Sequence, residues 1–436
     1  MLGIIGLMLG TVVLIIGAYK GLGVLPLSLL AGAVVVVTNG MDLWTSFSQV
    51  YITGYVGFFT NFFLIFASSA LYAKIMEESG SAIAIGYKFI DWFGAKRAVL
   101  VVLVSSAALT YGGVSLFVVV FAIAPIIMVL FNAADIPRRL AMGPLLAGSA
   151  TFTMTLLPGT PQLTNVVPTN FLGTSLTAAP VLGIVGATLM FTGQYLYLSW
   201  EERRLRAAGE HFTFIEGADI SVYQVERDQL PSAIKAFAPM IIVVGMIMSL
   251  RTVFTESAQL IVTSMIVAST VAIIFNWERL KDKKALFNTS AAGAVTAISA
   301  PCAIVGFGAI VQHSPSFQMI TDWVLNLDMN IYVMAAVATA VISGITGSSS
   351  GGLLITLGTL SEQYIASGAD LEIIHRLSAV FAGTLDTLPH SSALFLMFAY
   401  LGLTHKDGYR FVFLGSVVIP TMVSLLLLAG VVVLGL

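Results

Sequence analysis

Long apolar runs separated by short polar punctuation dominate the chain. Runs near 2–18, 22–38, 51–73, 181–199, 233–250, 255–275, 287–311 and 411–435 approach or exceed the roughly 20 residues that carry a helix across a bilayer. Three further regions, 98–131, 141–172 and 331–402, are apolar but interrupted by glycine, proline and hydroxyl residues. The polar stretches 201–230 and 276–284 read as surface loops, the first separating two halves. The pattern predicts an all-α polytopic membrane protein. A β-barrel would instead give short alternating segments.

The order of elements predicts an internal repeat. Each half reads as three spans, an amphipathic segment, a re-entrant hairpin and a discontinuous transmembrane helix. In the first half (1–180) these are an interfacial helix 79–93, a hairpin 98–131 and a broken helix 141–172. In the second (231–436) they are 314–328, 331–365 and 371–402, followed by a last span. A linking span and loop, 181–230, separates the halves, so the second starts on the opposite side and the repeats are inverted. The positive-inside rule then puts both termini outside and leaves only Arg251 and Arg376, of the 20 Lys and Arg, on the outer side.

Composition agrees with a membrane setting. The 436 residues are 58% hydrophobic and 10% charged, against roughly 25% charged in soluble domains. Mean hydropathy is +0.96. A net charge of −2 offers no basic face for nucleic acid. The first run lacks a basic leader and a cleavage site, and reads as a membrane helix. Cys302, the single cysteine, reads as a small packed hydrophobe. The sequence holds no H-E-x-x-H motif, no P-loop and no second intramembrane acid for an aspartyl pair, so an enzyme or a metal or cofactor site is not expected.

The chemistry concentrates at two helix breaks and two hairpin tips. "LLPGTPQL" (156–163) and "TLPHSSAL" (387–394) share a Leu-Pro, a hydroxyl and a closing leucine at the same spacing. Proline removes a donor and clashes with the preceding turn, so each break frees backbone N–H groups at the start of a new half-helix. Broken helices in corresponding positions of two repeats point to a transporter site. Candidate substrate-binding residues are therefore Pro158, Gly159, Thr160, Gln162 and Asn165 at the first break, and Thr387, His390, Ser391 and Ser392 at the second. The hairpin tips add Gly112, Gly113 and Ser115, then Thr346, Gly347, Ser348, Ser349 and Ser350. Asp386 is the acid best placed inside a span and, with His390, the candidate coupling group. The structural alternatives are a capping carboxylate, a hydrogen-bonded histidine, and Gly and Ser that let helices approach closely.

These stretches, with "YGGVSLFVVVFAIAPIIMVLFNAADIPRRL" and the sequence following each break, resemble the gluconate permease (GntP) family of the ion transporter superfamily over nearly the whole chain. "TLLPGTPQ" is more similar to the D-3-hydroxybutyrate and short-chain carboxylate branch than to gluconate carriers. The resemblance implies a homodimeric, proton-coupled carboxylate importer of a bacterial cytoplasmic membrane. It also implies an elevator in which hairpins and broken helices move against a scaffold. Sodium coupling and a gluconate-type substrate are the alternatives within the class. A channel or an intramembrane enzyme are the alternatives outside it.

Overall fold

The computed structural model describes residues 2–20, 22–112, 116–215, 227–250, 253–254, 257–325 and 329–434. Every regular element in them is helical. Among the described residues six helices are long and apolar enough to cross a membrane: Leu2–Tyr19, Leu43–Glu78, Pro180–Ala207, Ala258–Phe275, Lys283–His313 and His405–Val433. Shorter apolar helices include Val24–Thr38, Val119–Ala134, Ala233–Met246 and Ile331–Thr346.

Caps mark where chains of apolar residues begin. Asp42, Asp282, Asn330 and Asp370 each accept a backbone N–H from the first turn that follows. Thr404 and Asp407 form a capping box at the start of the last long helix. Such contacts satisfy N–H groups that have no partner in the helix and are each worth about 1 kcal/mol. They begin helices sharply, which matters for short pieces such as Leu371–Ala382.

Several elements depart from the sequence expectation. The stretch 201–230 starts as helix, because Pro180–Ala207 runs on through it. Acid and base pairs one turn apart hold this extension, with Arg204 2.7 Å from Glu201 and Arg206 3.0 Å from Glu202. Glu201 is fully buried and also meets Arg410 at 3.0 Å. Two of the six long helices, Leu43–Glu78 and His405–Val433, contain π-turns at Ser46–Tyr51 and Phe413–Val418. The segment 141–172 is interrupted twice, giving Met142–Ser149, Phe152–Thr155 and Leu163–Leu172.

The long Leu43–Glu78 helix packs along Lys283–His313. Its Phe58, Phe62 and Phe66 form an aromatic ladder against Phe117 and Phe121 of the Leu116–Ala134 helix, with ring centroids 4.4–6.5 Å apart. That helix pairs with Ala98–Tyr111 as one hairpin. Ile331–Thr346 and Ser349–Ala366 pair as another. Ser81–Phe93 enters the first hairpin through a 100° bend. The core thus brings two hairpins and two interrupted helices into contact.

Candidate functional site

Both breaks fall between short helices. The first, 156–162, separates Phe152–Thr155 from Leu163–Leu172. The second, 383–391, separates Leu371–Ala382 from Ser392–Tyr400. Gly159 adopts φ +81° and Gly347 φ +61°, backbone that costs other residues about 1–2 kcal/mol. Glycine at these two points lets the chain reverse within one residue.

Each break is tied to the hairpin of its own half. At the first, Gln162 Nε2 donates to the Thr110 carbonyl (2.7 Å) and the Tyr111 hydroxyl to the Pro158 carbonyl (3.1 Å). At the second, His390 Nε2 donates to the Gly344 carbonyl (2.9 Å) and Ser391 to the Gly347 carbonyl (3.1 Å). A side chain at Gly347 would press on His390, whose Cδ2 lies 3.0 Å from an ideal Cβ. The hairpin tips and breaks are therefore interlocked.

The predicted residues take different parts in this arrangement. Thr160, Gln162, Asn165, Ser349, Asp386, Thr387, His390 and Ser391 are all buried. Ser349 lies close to the Asp386 carboxyl. Thr346 is bonded back to Ile342 (2.9 Å), and Ser348 caps its helix through Gly351 N–H (3.2 Å). Pro158, Gly159, Ser350 and Ser392 are half-buried, and Gly112 is buried at the end of its hairpin arm. Gly113 and Ser115 lie outside the described residues.

Buried polar atoms normally find partners, yet a group at the second break does not. Asp386 Oδ1, Thr387 Oγ1 and His390 Nδ1 have none, and neither does Ser343 Oγ on the adjoining hairpin. At the first break Thr160 Oγ1 is in the same position. An unpaired buried polar group costs about 1–3 kcal/mol, a cost that a polar ligand brought to these atoms would relieve. Neither of two cavities of about 380 and 430 Å³ is lined by them. The unpartnered atoms themselves are buried, while Pro158, Gly159 and Pro161 of the first break stay half-exposed.

Three side-chain groups around the breaks were not singled out from sequence. Arg376, expected on the outer side, is fully buried. Its Nε and Nη2 donate to the Ala178 carbonyl (3.2 and 2.8 Å), and Nη1 to Thr155 O (3.2 Å) and Asn165 Oδ1 (3.1 Å). Six residues beyond the Asp370 cap, Arg376 is about 9 Å along the helix. His375 bridges Thr174 Oγ1 (2.7 Å) and Asn165 Oδ1 (3.0 Å). Asn165 Nδ2 in turn donates to Thr160 O (2.9 Å) and Leu176 O (2.8 Å). Its amide is thus committed to framework bonds.

The third group lies behind the second break. His405 Nε2 donates to the Pro389 carbonyl (2.8 Å) and the Tyr409 hydroxyl to the Thr387 carbonyl (3.3 Å). Phe395 and Phe398 pack on the His405 ring at 4.7 and 4.6 Å. The stretch "THKDGYR" gave no period or spacing that tied it to the break sixteen residues earlier. Only the turn after Tyr400 brings it back.

Comparison with known proteins gives the chain a family. A model of GntP family permeases matches residues 2–434. The chain is also 32% identical over 435 residues to YxjC of Bacillus subtilis (strain 168), described as an uncharacterised transporter. That alignment covers 91% of this chain and 92% of the relative.

Proposed function

The chain belongs to the GntP family of permeases, and from this premise we propose that it is a proton-coupled importer of a small organic anion. The favoured cargo is 3-hydroxybutyrate or a similar short hydroxy acid. The carrying observation is Asp386, a buried carboxyl in the unwound second break with an unpartnered oxygen, in the same break as the unpartnered Thr387 Oγ1 and His390 Nδ1.

The coupling follows from elementary electrostatics. A lone buried carboxylate is costly unless paired. A cargo carboxylate brought beside it adds a like charge, and two such groups ionise together only at high cost. Anion and proton therefore bind as a neutralised pair, and each strengthens the other's binding by the same factor. The cargo carboxylate takes hydrogen bonds from freed N–H groups of the half-helices and from hydroxyls at Thr160, Ser349 and Ser391, with Ser348 contributing on opening. Asp386 holds the coupling proton and His390 steadies it.

In this reading the two halves are inverted repeats. Hairpins and broken helices move as an elevator against the other helices, in a homodimer of the cytoplasmic membrane. The aromatic ladder from Phe58 to Phe121 is the sliding face. Uptake of labelled 3-hydroxybutyrate by proteoliposomes under an inward pH gradient tests the reading. Accumulation that needs sodium and ignores the pH gradient would replace the proton with sodium.

A further inference from the structure

We infer that Arg376 is the fixed cation that gives the site at the breaks its preference for anions, acting through the first break without touching the cargo; this rests on the organic-anion reading above. The guanidinium is fully buried, and its four hydrogen bonds go to neutral oxygens on Ala178, Thr155 and Asn165. No carboxylate lies within 4 Å of it among the described residues. Glu372, one turn earlier, is exposed; one of its oxygens accepts the Ala179 N–H at 3.1 Å, and its solvent-screened charge offsets only part of the guanidinium's. Carbonyl dipoles satisfy the N–H groups of a cation but leave its net charge in place.

The neighbouring histidine adds no charge. Asn165 Oδ1 accepts from His375 Nε2, because Asn165 Nδ2 is already used on Thr160 O and Leu176 O. Burial directly beside the Arg376 guanidinium disfavours a second positive charge, so the ring is neutral and Nδ1 accepts from the Thr174 hydroxyl at 2.7 Å. Arg376 is thus the positive member of the cluster, in a water-poor surround where a charge acts over several ångströms.

Its position ties it to both breaks. Nη1 bonds the last residue of the helix before the first break, Thr155. Nε lies 3.4 Å from an ideal Cβ on Gly183, a point that is also 3.3 Å from Pro158 Cγ. Gly383, which opens the second break, packs on the methyl of the same Thr155. An anion held at the breaks feels this field, whereas an uncharged molecule of the same shape does not. Arg376 is a positioning and charge-selecting residue.

Paired ligands separate that role from a structural one. Affinities of purified, detergent-solubilised full-length protein are measured for 3-hydroxybutyrate and gluconate and for their neutral amides. Wild type is expected to favour an acid over its amide. R376Q is expected to lower that acid-to-amide ratio about tenfold or more with amide affinity little changed, and R376K to keep most of it. N165D, which puts a carboxylate at the place now 3.1 Å from Nη1, neutralises the cation without removing it. It is expected to lower the ratio as R376Q does and serves should R376Q not assemble. Equal loss of acid and amide binding, or an unchanged ratio in R376Q or N165D, overturns the assignment to Arg376 alone. A wild type with no preference for any acid overturns the anion reading and this inference with it.

Discussion

The two helix breaks match in sequence spacing and differ in chemistry. The first is a braced element: Tyr111 and Asn165 fix its carbonyls, Arg376 holds the Thr155 carbonyl just before it, Gln162 reaches the Thr110 carbonyl of the hairpin, and Thr160 Oγ1 is left unpartnered. The second carries the acid and a histidine, with Asp386, Thr387 and His390 each holding an unbonded atom. Both breaks supply a half-helix terminus. In the proposed reading, the first lies against a fixed positive charge and the second carries the proton. The comparison teaches that similar backbone breaks need not share a task.

The strongest way to break this comparison is to remove the acid. D386N is expected to abolish accumulation driven by a pH gradient while leaving counterflow exchange of the same cargo within about tenfold. Removing Gln162 from the braced break as Q162L is expected to weaken both assays together. Loss of gradient-driven and exchange activity in equal measure in D386N would reduce the two breaks to one kind.

The brace behind the second break comes next. H405A removes a ring packed on Phe395 and Phe398 and strands the Pro389 carbonyl. A destabilisation of about 3–5 kcal/mol is expected, read as a fall in the thermal unfolding midpoint. Y409F, which loses one 3.3 Å bond, is expected to cost about 1 kcal/mol.

Glycine substitutions sharpen the contrast more gently. G347A combines left-handed backbone with a Cβ 3.0 Å from the His390 ring, whereas G159A has its nearest neighbour, Tyr111 Oη, at 3.7 Å. Both carry about 1–2 kcal/mol of backbone strain. G347A should additionally weaken cargo binding, and G159A should not.

The smallest effect lies where the first hairpin leaves the core. Asp135 accepts from His211 (2.7 Å) and from Phe212 N–H (3.0 Å), and these bonds hold its carboxyl below the usual carboxylate range. A lowered value in the folded state means that its contribution is complete above the ordinary carboxylate range. It is lost as pH falls through the lowered value. D135N keeps the shape and tolerates the φ of +49°. Proteolysis within 208–215 should therefore be slightly faster in D135N at neutral pH, with the difference fading in acid.

What the sequence made legible followed from periodicity and proline. Apolar length located the membrane helices, and Pro158 and Pro389 located the breaks. Asp386 stood out because no other acid fell inside a span. The rest depended on depth and return paths. Arg376 was counted on the outer side of the membrane, which says nothing of packing; its burial rests on carbonyls of Ala178 and Thr155, about 200 residues away in sequence. His405 and Tyr409 were invisible because their bonds to Pro389 and Thr387 exist only after the chain turns at 401–404. The helical extension to Ala207 was hidden by its charge, which is compensated within the helix.

The central claim is that an anion and a proton cross together through the second break. Proteoliposomes loaded with the purified protein and given an inward pH gradient measure it directly, with labelled 3-hydroxybutyrate outside and sodium absent. Accumulation above the equilibrium level that collapses when a protonophore is added, and that D386N lacks, is the result expected. Saturable counterflow by the same vesicles with no response to the gradient would contradict it.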